Sequence, residues 1–320
     1  MKKTFMRSLL AVSVLTTLPC VSAFAAAAAD GPAAECEGVS VATGPKGKGY
    51  SLLFADLKKV CGSKVPLCEV NTTGGLDNLN SLSTKDADVG VVQVDTWNDM
   101  KAGDENIAAL QKVLPLNYNY LHVVTSANGF AVKAQPTGKL DALLNRNQVQ
   151  QVLVQRFSDL RGQTVAVVGS AALLVRRLNQ QLGYKMNFID AKSDDAAFDL
   201  VKKGQAAAAM TVSGWPSGTV KLLDTASGLT LVPFDAPIGE PYKVKSLNYK
   251  NLAVYNNNSL GVPNVMVTRS FSGQRAANIA ALQSCILNNL TDLKEGKYQP
   301  AWNEVNPSAQ VPGMADFKKK

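Results

Sequence analysis

Histidine is almost absent from this sequence, and cysteine is scarce. The 320 residues include one histidine, His122, and five cysteines. Hydrolases with a serine or cysteine nucleophile normally need an imidazole beside it, and His122 lies in an apolar run. A zinc site is disfavoured too, because the cysteines are not spaced as zinc ligands are. We therefore predict no enzyme activity, no metal site and no cofactor, although a serine–lysine or carboxylate-pair enzyme stays open.

Long apolar runs are absent after the first 25 residues. Residues 1–25 combine a positive start, an apolar stretch too short to span a bilayer and a small-x-small cleavage pattern: Lys2, Lys3 and Arg7, then Leu9 to Leu18, then Ala23-Phe24-Ala25. This is typical of a signal peptide cleaved near Ala25 and predicts a soluble periplasmic protein. A signal anchor and a lipid anchor on Cys20 are the alternatives.

Acidic residues do not dominate, and the formal net charge is +8. The positive charge is spread along the chain, and its densest cluster is Lys318-Lys319-Lys320, which is typical of a solvated tail. An exported protein has little reason to meet nucleic acid, so we predict no such partner. The charge favours an anionic ligand.

Four cysteines would remain after cleavage of a signal peptide: Cys36, Cys61, Cys68 and Cys285. Export permits disulfides, and four cysteines allow three pairings into two bridges. Cys61 and Cys68 flank a short turn that contains Gly62 and Pro66, so Cys61–Cys68 is the favoured bridge. The other pairings stay open.

Strand, loop and helix patterns alternate along the chain. Val39–Ala42, Leu67–Asn71 and Val89–Val94 predict strands, and each is followed by a polar or glycine-containing loop and a helical or polar segment. A continuous apolar strand suits a sheet that is covered on both faces. Three such units in succession predict a parallel, doubly wound α/β sheet.

A second α/β series begins near Leu121. It has strands at 121–125, 165–168 and 207–212, and a helix whose apolar positions are four residues apart and which stops at Gly183. Residues 127–152 are polar and interrupt the series, so we interpret them as an insertion. A chain of this length exceeds the ~250 residues at which one core usually stops growing, which favours two domains.

Several short motifs carry a resemblance to a known family. In order they are Thr43-Gly44 to Gly49-Tyr50, Thr73-Gly74-Gly75 to Leu79, Val91 to Asp95, Leu121 to Val124, Asp159 to Val167, Val212 to Pro216 and Gly261 to Val267. Their order and spacing resemble the TAXI family of extracytoplasmic solute-binding subunits that are associated with TRAP transporters. The chain departs from the family's fuller Gly-Ser-Gly-Thr loop, since it has Gly169-Ser170-Ala171-Ala172.

The resemblance implies a type II periplasmic-binding-protein fold of two doubly wound α/β lobes. Lobe 1 would comprise residues 26–124 and 260–320, and lobe 2 residues 125–259. The chain would cross between them near 121–127 and 258–268, and hinge motion would close the lobes on a ligand.

Ligands of open α/β sheets bind outside the carboxyl ends of the strands, where glycine loops let backbone N–H groups approach an anion. The candidate binding residues of lobe 1 lie at such ends: Gly44, Lys46, Gly47, Tyr50, Thr73, Gly74, Gly75, Asn78, Gln93 and Asp95. Each has a structural alternative. The glycines could form only a turn, Tyr50 could pack in the core, and Asn78 could cap its helix.

The opposite wall would come from lobe 2. Its candidates are Gly169, Ser170, Ser213, Gly214 and Trp215. Trp215 could instead pack at the hinge. Arg176 and Arg177 fall on a helix and are more typical of a solvated face, although either could reach a carboxylate. His122 is more typical of a core residue than of a base.

The predicted function is capture of a small organic anion, a carboxylate of the glutamate or 2-oxoglutarate kind or an amino acid. The expected partners are the small-molecule solute and integral-membrane transporter subunits, and we expect a monomer. A receptor that reports its ligand to a membrane sensor would have the same fold, and a secreted hydrolase is the rival class.

Overall fold

Strand–loop–helix units alternate from the start of the described chain. The computed structural model describes residues 36–133 and 149–318. Three short strands, β1 to β3, alternate with helices α1 to α4: β1 Val39–Gly44, α1 Gly49–Cys61, β2 Leu67–Asn71, α2 Gly75–Ser83, β3 Val89–Gln93, α3 Val94–Met100 and α4 Glu105–Ala108. The predicted insertion lies for the most part outside the described residues, as do the predicted signal peptide and Cys20.

The second series repeats this design between two long strands. It contains β4 Gln111–Ser126, β5 Phe130–Lys133, β6 Val149–Val152, β7 Thr164–Val168, α5 Ser170–Leu182, β8 Asn187–Ala191, α6 Asp194–Lys202 and β9 Ala208–Ser213. The chain continues through β10 Leu229–Leu231, β11 Lys243–Tyr249, β12 Val254–Thr268, α7 Gly273–Asn288, α8 Leu290–Glu295 and β13 Ala315–Asp316. The helix α5 stops at Gly183, whose φ of 63° is left-handed, as the sequence predicts.

The described residues form one eleven-stranded sheet and a separate pair, β5 with β6. The order along the large sheet is β2-β1-β3-β12-β4-β9-β7-β8. The groups β2-β1-β3 and β8-β7-β9 are each parallel, and the antiparallel strands β12 and β4 join them. We call the parts around these two groups the first and second lobe. The predicted α/β class with two doubly wound lobes is confirmed.

The long strands change neighbours along their length. β4 pairs with β12 between residues 111 and 120 and with β9 from Tyr120 to Thr125. β4 therefore belongs to both lobes, and the predicted strand at 121–125 is only its second half. The predicted lobe boundaries stay a prediction.

Each lobe has a core on both faces of its sheet. Along β3, Val89 and Val91 face one cluster with α1 and α7, whereas Val92 faces another with α2 and α3. Two further clusters cover the faces of the second lobe. A strand that is buried on both faces needs apolar residues at successive positions, which explains the continuous run at Val89 to Val92.

Two disulfides join parts of the chain that are distant in sequence. They are Cys36–Cys68 and Cys61–Cys285, with Cα–Cα distances of 6.1 and 6.0 Å. The expectation of a disulfide is confirmed, but the predicted Cys61–Cys68 bridge is wrong. Cys61 ends α1 with its side chain in the core beside α7, which carries Cys285. Cys68 lies instead on β2 beside Ser40 of β1, so the segment that leads into β1 brings Cys36 to it.

We expect the Cys61–Cys285 bridge to contribute more stability than Cys36–Cys68, because it closes a longer loop. The separations are 224 and 32 residues, for which chain entropy gives about 5 and about 4 kcal/mol. Urea unfolding of the double variants Cys61→Ala/Cys285→Ala and Cys36→Ala/Cys68→Ala measures both. A larger loss for the Cys36–Cys68 variant would contradict the ranking.

His122 is a buried core residue, 1% exposed. Its Nε2 lies 2.7 Å from the Tyr249 hydroxyl, whose oxygen also accepts a hydrogen bond from the Ser217 amide at 2.7 Å. The Tyr249 proton is therefore available to donate to Nε2, which suits a neutral imidazole. Burial lowers the pKa of His122 to about 4.

This buried imidazole should make the fold sensitive to acid. The unfolded pKa is about 6.5, so the unfolded chain binds the proton first, and stability falls as the pH drops from about 6.5 to about 4. Over this pH range, protonation of His122 lowers the free energy of unfolding by roughly 3 kcal/mol in total. We expect a His122→Gln variant to be less stable at pH 7 but to show a flatter loss towards pH 4 in urea unfolding. An unchanged pH slope would contradict the assignment.

Candidate functional site

The carboxyl ends of the first-lobe strands bring predicted residues together. Gly44 ends β1 with a φ of 121°, and a Cβ on it would lie 3.5 Å from the Gly74 Cα and 3.8 Å from the Tyr50 ring. A Cβ on Gly75 would lie 3.6 Å from the backbone nitrogen of Gln93. The loops after β1, β2 and β3 thus form one continuous wall, and the Gly44 backbone requires glycine.

Asn78 holds this wall in place. It is fully buried and donates to the Val91 carbonyl at 2.6 Å, and its Oδ1 accepts a hydrogen bond from the Thr72 hydroxyl at 2.5 Å. The neighbouring Thr73 bonds through its amide and hydroxyl to Asp77. Both predicted residues therefore have a structural role in the loop before α2.

Lys46 and Gly47 lie at the exposed outer edge of the wall. The Gly47 amide donates to the Ser51 hydroxyl at 3.1 Å, which ties the loop to the first turn of α1.

Tyr50 connects the wall to the long strands. Its hydroxyl donates to Asn264 Oδ1 at 2.8 Å and accepts from Asn119 Nδ2 at 2.9 Å. Asn264 Nδ2 in turn donates to Asn117 at 3.3 Å. Burial raises the pKa of Tyr50, and the nearby Asp95 raises it further, so the phenol is neutral. Asn119 and Asn264 were not among the predicted residues, although polar residues inside strands that are otherwise buried are a usable signal.

Asp95 lies in the first turn of α3 and is 3% exposed. Its Oδ1 accepts from the Thr96 amide at 2.7 Å and from the Thr96 hydroxyl at 3.4 Å. Burial raises the pKa of Asp95, and the positive charge of Arg177 opposes that rise.

Arg177 of α5 reaches from the second lobe to the first. Its guanidinium donates to the Asp95 backbone oxygen at 2.8 Å, forms an ion pair with Asp99 and donates to the Tyr242 hydroxyl at 2.9 Å. The expectation of a solvated face is therefore wrong for Arg177. It holds better for Arg176, whose ion pair with Asp190 is exposed and stays inside the second lobe. Arg177 was missed because helical spacing does not reveal which arginine faces another domain.

The second-lobe candidates lie at the ends of β7 and β9. Gly169 precedes α5 with a φ of 53°, and Ser170 is the first residue of that helix. Ser213 ends β9. After Gly214, Trp215 packs in the core cluster of the second lobe, and the Lys245 ammonium lies 4.9 Å from its ring centroid.

Most of the buried side-chain polar atoms that lack a hydrogen-bond partner belong to predicted binding residues. Within 36–133 and 149–318, five buried side-chain polar atoms have no hydrogen-bond partner. Three of them belong to predicted binding residues: Gln93 Nε2, Ser213 Oγ and Trp215 Nε1. Buried polar groups are nearly always hydrogen-bonded in native proteins, so each exception requires an explanation.

The described chain also contains a cavity of about 380 Å³. The long strands, the 240–243 segment and the C-terminal segment 304–312 line it, together with Val94. None of the predicted residues lines it.

The described residues hold no group of three or more histidine, cysteine, aspartate or glutamate side chains that could bind a metal ion. None of their helices is long and apolar enough to cross a membrane.

No protein-family model matches the chain, and no curated protein matches it. Among solved structures, the ligand-binding core of GluR0 in complex with L-glutamate has 12% identity and a TM-score of 0.48, covering 81% of this chain and 95% of that chain. Tv2483 bound to L-arginine has 12% identity and a TM-score of 0.49, covering 85% and 94%.

An arginine 3rd transport system periplasmic binding protein from Legionella pneumophila has 9% identity and a TM-score of 0.45, covering 80% and 94%. All three TM-scores are below 0.5.

We expect Arg177 to hold the lobes together in solution. Replacing it by methionine removes the contacts to Asp95 and Asp99, a stabilisation of roughly 1 kcal/mol for a partly exposed pair. Small-angle scattering of Arg177→Met should then give a radius of gyration above the roughly 19 Å expected of a compact chain of this size. The matched control is Arg176→Met on the same helix, which should leave the radius unchanged. Equal radii for both variants would contradict this role.

Proposed function

We propose that the protein is an exported solute-binding protein that captures a small organic anion between its two lobes. The observation that carries the proposal is the set of unpartnered buried atoms Gln93 Nε2, Ser213 Oγ and Trp215 Nε1. They come from both lobes and lie at or just after the carboxyl ends of strands. A ligand that supplies their missing hydrogen bonds would explain why the fold tolerates them.

The anionic ligand is supported by charge and by backbone geometry. The chain carries a net charge of +8, and the glycine loops at Gly44, Gly74 and Gly169 precede the amino ends of α1, α2 and α5. Free amides at the start of a helix favour an anion. The ligand that fits best is a carboxylate of the glutamate or 2-oxoglutarate kind, or an amino acid.

Delivery to a TRAP-type membrane transporter is the finer part of the proposal, and it rests on the TAXI resemblance of the motifs. A receptor subunit for a membrane sensor is the alternative that shares this fold. We propose a monomer that acts by binding and not by catalysis. The two disulfides support export, because such bonds persist in oxidising compartments such as the periplasm.

A ligand screen by thermal shift tests the proposal. A bound anion at ~100 times its Kd should add about 2.7 kcal/mol to the free energy of unfolding, and the fluorescence of Trp215 should change with the same ligands.

We expect Gln93→Met and Ser213→Ala each to weaken binding about tenfold. They should not lower the melting temperature of the ligand-free protein, since each removes a buried polar atom that lacks a partner.

The matched control is Thr125→Val. Thr125 is buried and its hydroxyl donates to the Ala207 carbonyl at 2.7 Å, so this variant should lose stability and keep its affinity. If no small anion raises the melting temperature while a sugar or peptide does, the anionic ligand is wrong. Turnover of a substrate that is indifferent to Gln93→Met and Ser213→Ala would contradict the binding function itself.

A further inference from the structure

Asp95 is a buried carboxylate without a cationic partner. None of the ion pairs among the described residues includes its carboxylate, although its side chain lies where the two lobes meet. Removing a carboxylate from water costs several kcal/mol unless a positive charge or several donors compensate it. The Thr96 amide and hydroxyl supply donors to Oδ1 only.

Burial raises the pKa of Asp95 and the positive charge of Arg177 lowers it, but the guanidinium forms no ion pair with the Asp95 carboxylate. Arg177 directs its guanidinium to the Asp95 backbone oxygen, to the Asp99 carboxylate and to the Tyr242 hydroxyl. Its two terminal nitrogens, Nη1 and Nη2, are therefore already engaged in other contacts. Asp95 Oδ2 has no hydrogen-bond partner among residues 36–133 and 149–318. It is not one of the five fully buried atoms without a partner, so it is open to solvent or to a ligand.

A second polar group at the same strand end also lacks a partner. Gln93 is 2% exposed, and its Nε2 has no acceptor within the described chain. Gln93 ends β3 and Asp95 is two residues further along, so one strand end presents a carboxyl oxygen that can accept and an amide group that can donate. An ammonium group of a ligand could donate to the Asp95 carboxyl, and a carboxylate oxygen of a ligand could accept from Gln93 Nε2.

We propose that Asp95 binds the ammonium group of an amino acid ligand, so that the site selects amino acids over 2-oxo acids and simple dicarboxylates. This inference rests on the proposed function and narrows its ligand to one class. Gln93 Nε2 donates to the ligand carboxylate, and the ammonium forms a charge-assisted hydrogen bond to Asp95 Oδ2. An oxo acid places a carbonyl oxygen where the ammonium would lie, which leaves Asp95 unpaired and adds a repulsive contact.

Matched ligand pairs test this selectivity by calorimetry. Each pair shares one carbon skeleton: L-glutamate with 2-oxoglutarate, L-alanine with pyruvate, and L-leucine with 4-methyl-2-oxopentanoate, with glutarate as a dicarboxylate that has no amino group. Of the skeletons that bind, the amino member should bind at least about thirtyfold tighter, as expected for a buried charge-assisted contact. Asp95→Asn should remove most of that preference.

The matched control is Asp190→Asn. Asp190 is an exposed aspartate of the second lobe that pairs with Arg176, and its replacement should leave the preference unchanged. An Asp95→Asn variant that keeps the thirtyfold preference would overturn the role of Asp95. If that variant does not fold, the comparison of the ligand pairs on the wild-type chain still decides the ligand class.

The outcomes separate the two proposals. If an oxo acid or glutarate binds as tightly as its amino counterpart, the ammonium assignment is overturned while the solute-binding function stands. If no amino acid, oxo acid or dicarboxylate binds but another class of solute does, the anionic ligand of the proposed function falls with it.

Discussion

The pairing of β4 with β12 is the constraint on which the rest of the structure depends. These two strands are the ones in the large sheet that have neighbours in both lobes, and their ladder runs from Gly261 opposite Tyr120 to Thr268 opposite Gln111. The approach is close at Gly261, where a Cβ would lie 3.0 Å from the Tyr120 ring and 3.2 Å from the Lys243 carbonyl oxygen. A larger residue there would separate the strands, and with them Asn119 and Asn264, which hold Tyr50.

Much of the fold could be predicted from the sequence because its signals are local. The apolar run at Val89 to Val92 reflects a strand that is buried on both faces. The periodic leucines of α5 reflect a helix that is buried on one face. The first half of β4 was less visible, since Lys112, Pro115 and Asn117 interrupt its apolar pattern, yet Lys112 and Asn117 are buried. Distant parts of the chain provide partners for both: Lys112 donates to the Ala309 carbonyl, and Asn117 Oδ1 accepts from Asn264.

The candidate site was less accessible to sequence reasoning, because its key contacts join residues far apart in the chain. Spacing located the glycine loops, and the structure brings Gly44, Gly74 and Gly75 together. It could not distinguish Arg177 from Arg176, nor pair Cys61 with Cys285, because both depend on how separate helices pack. The polar atoms without partners are likewise visible only in three dimensions. They reduce stability at the site, a cost that functional sites commonly carry.

The Cys61–Cys285 bridge has a consequence for the covalent integrity of the molecule. Both cysteines lie in the core of the first lobe, and the whole second lobe lies in the chain between them. The second lobe is therefore a closed covalent loop anchored at both ends. A protease that cuts once anywhere within that loop leaves the two fragments linked through sulfur, so the strands β4 and β12 stay on one molecule after the nick.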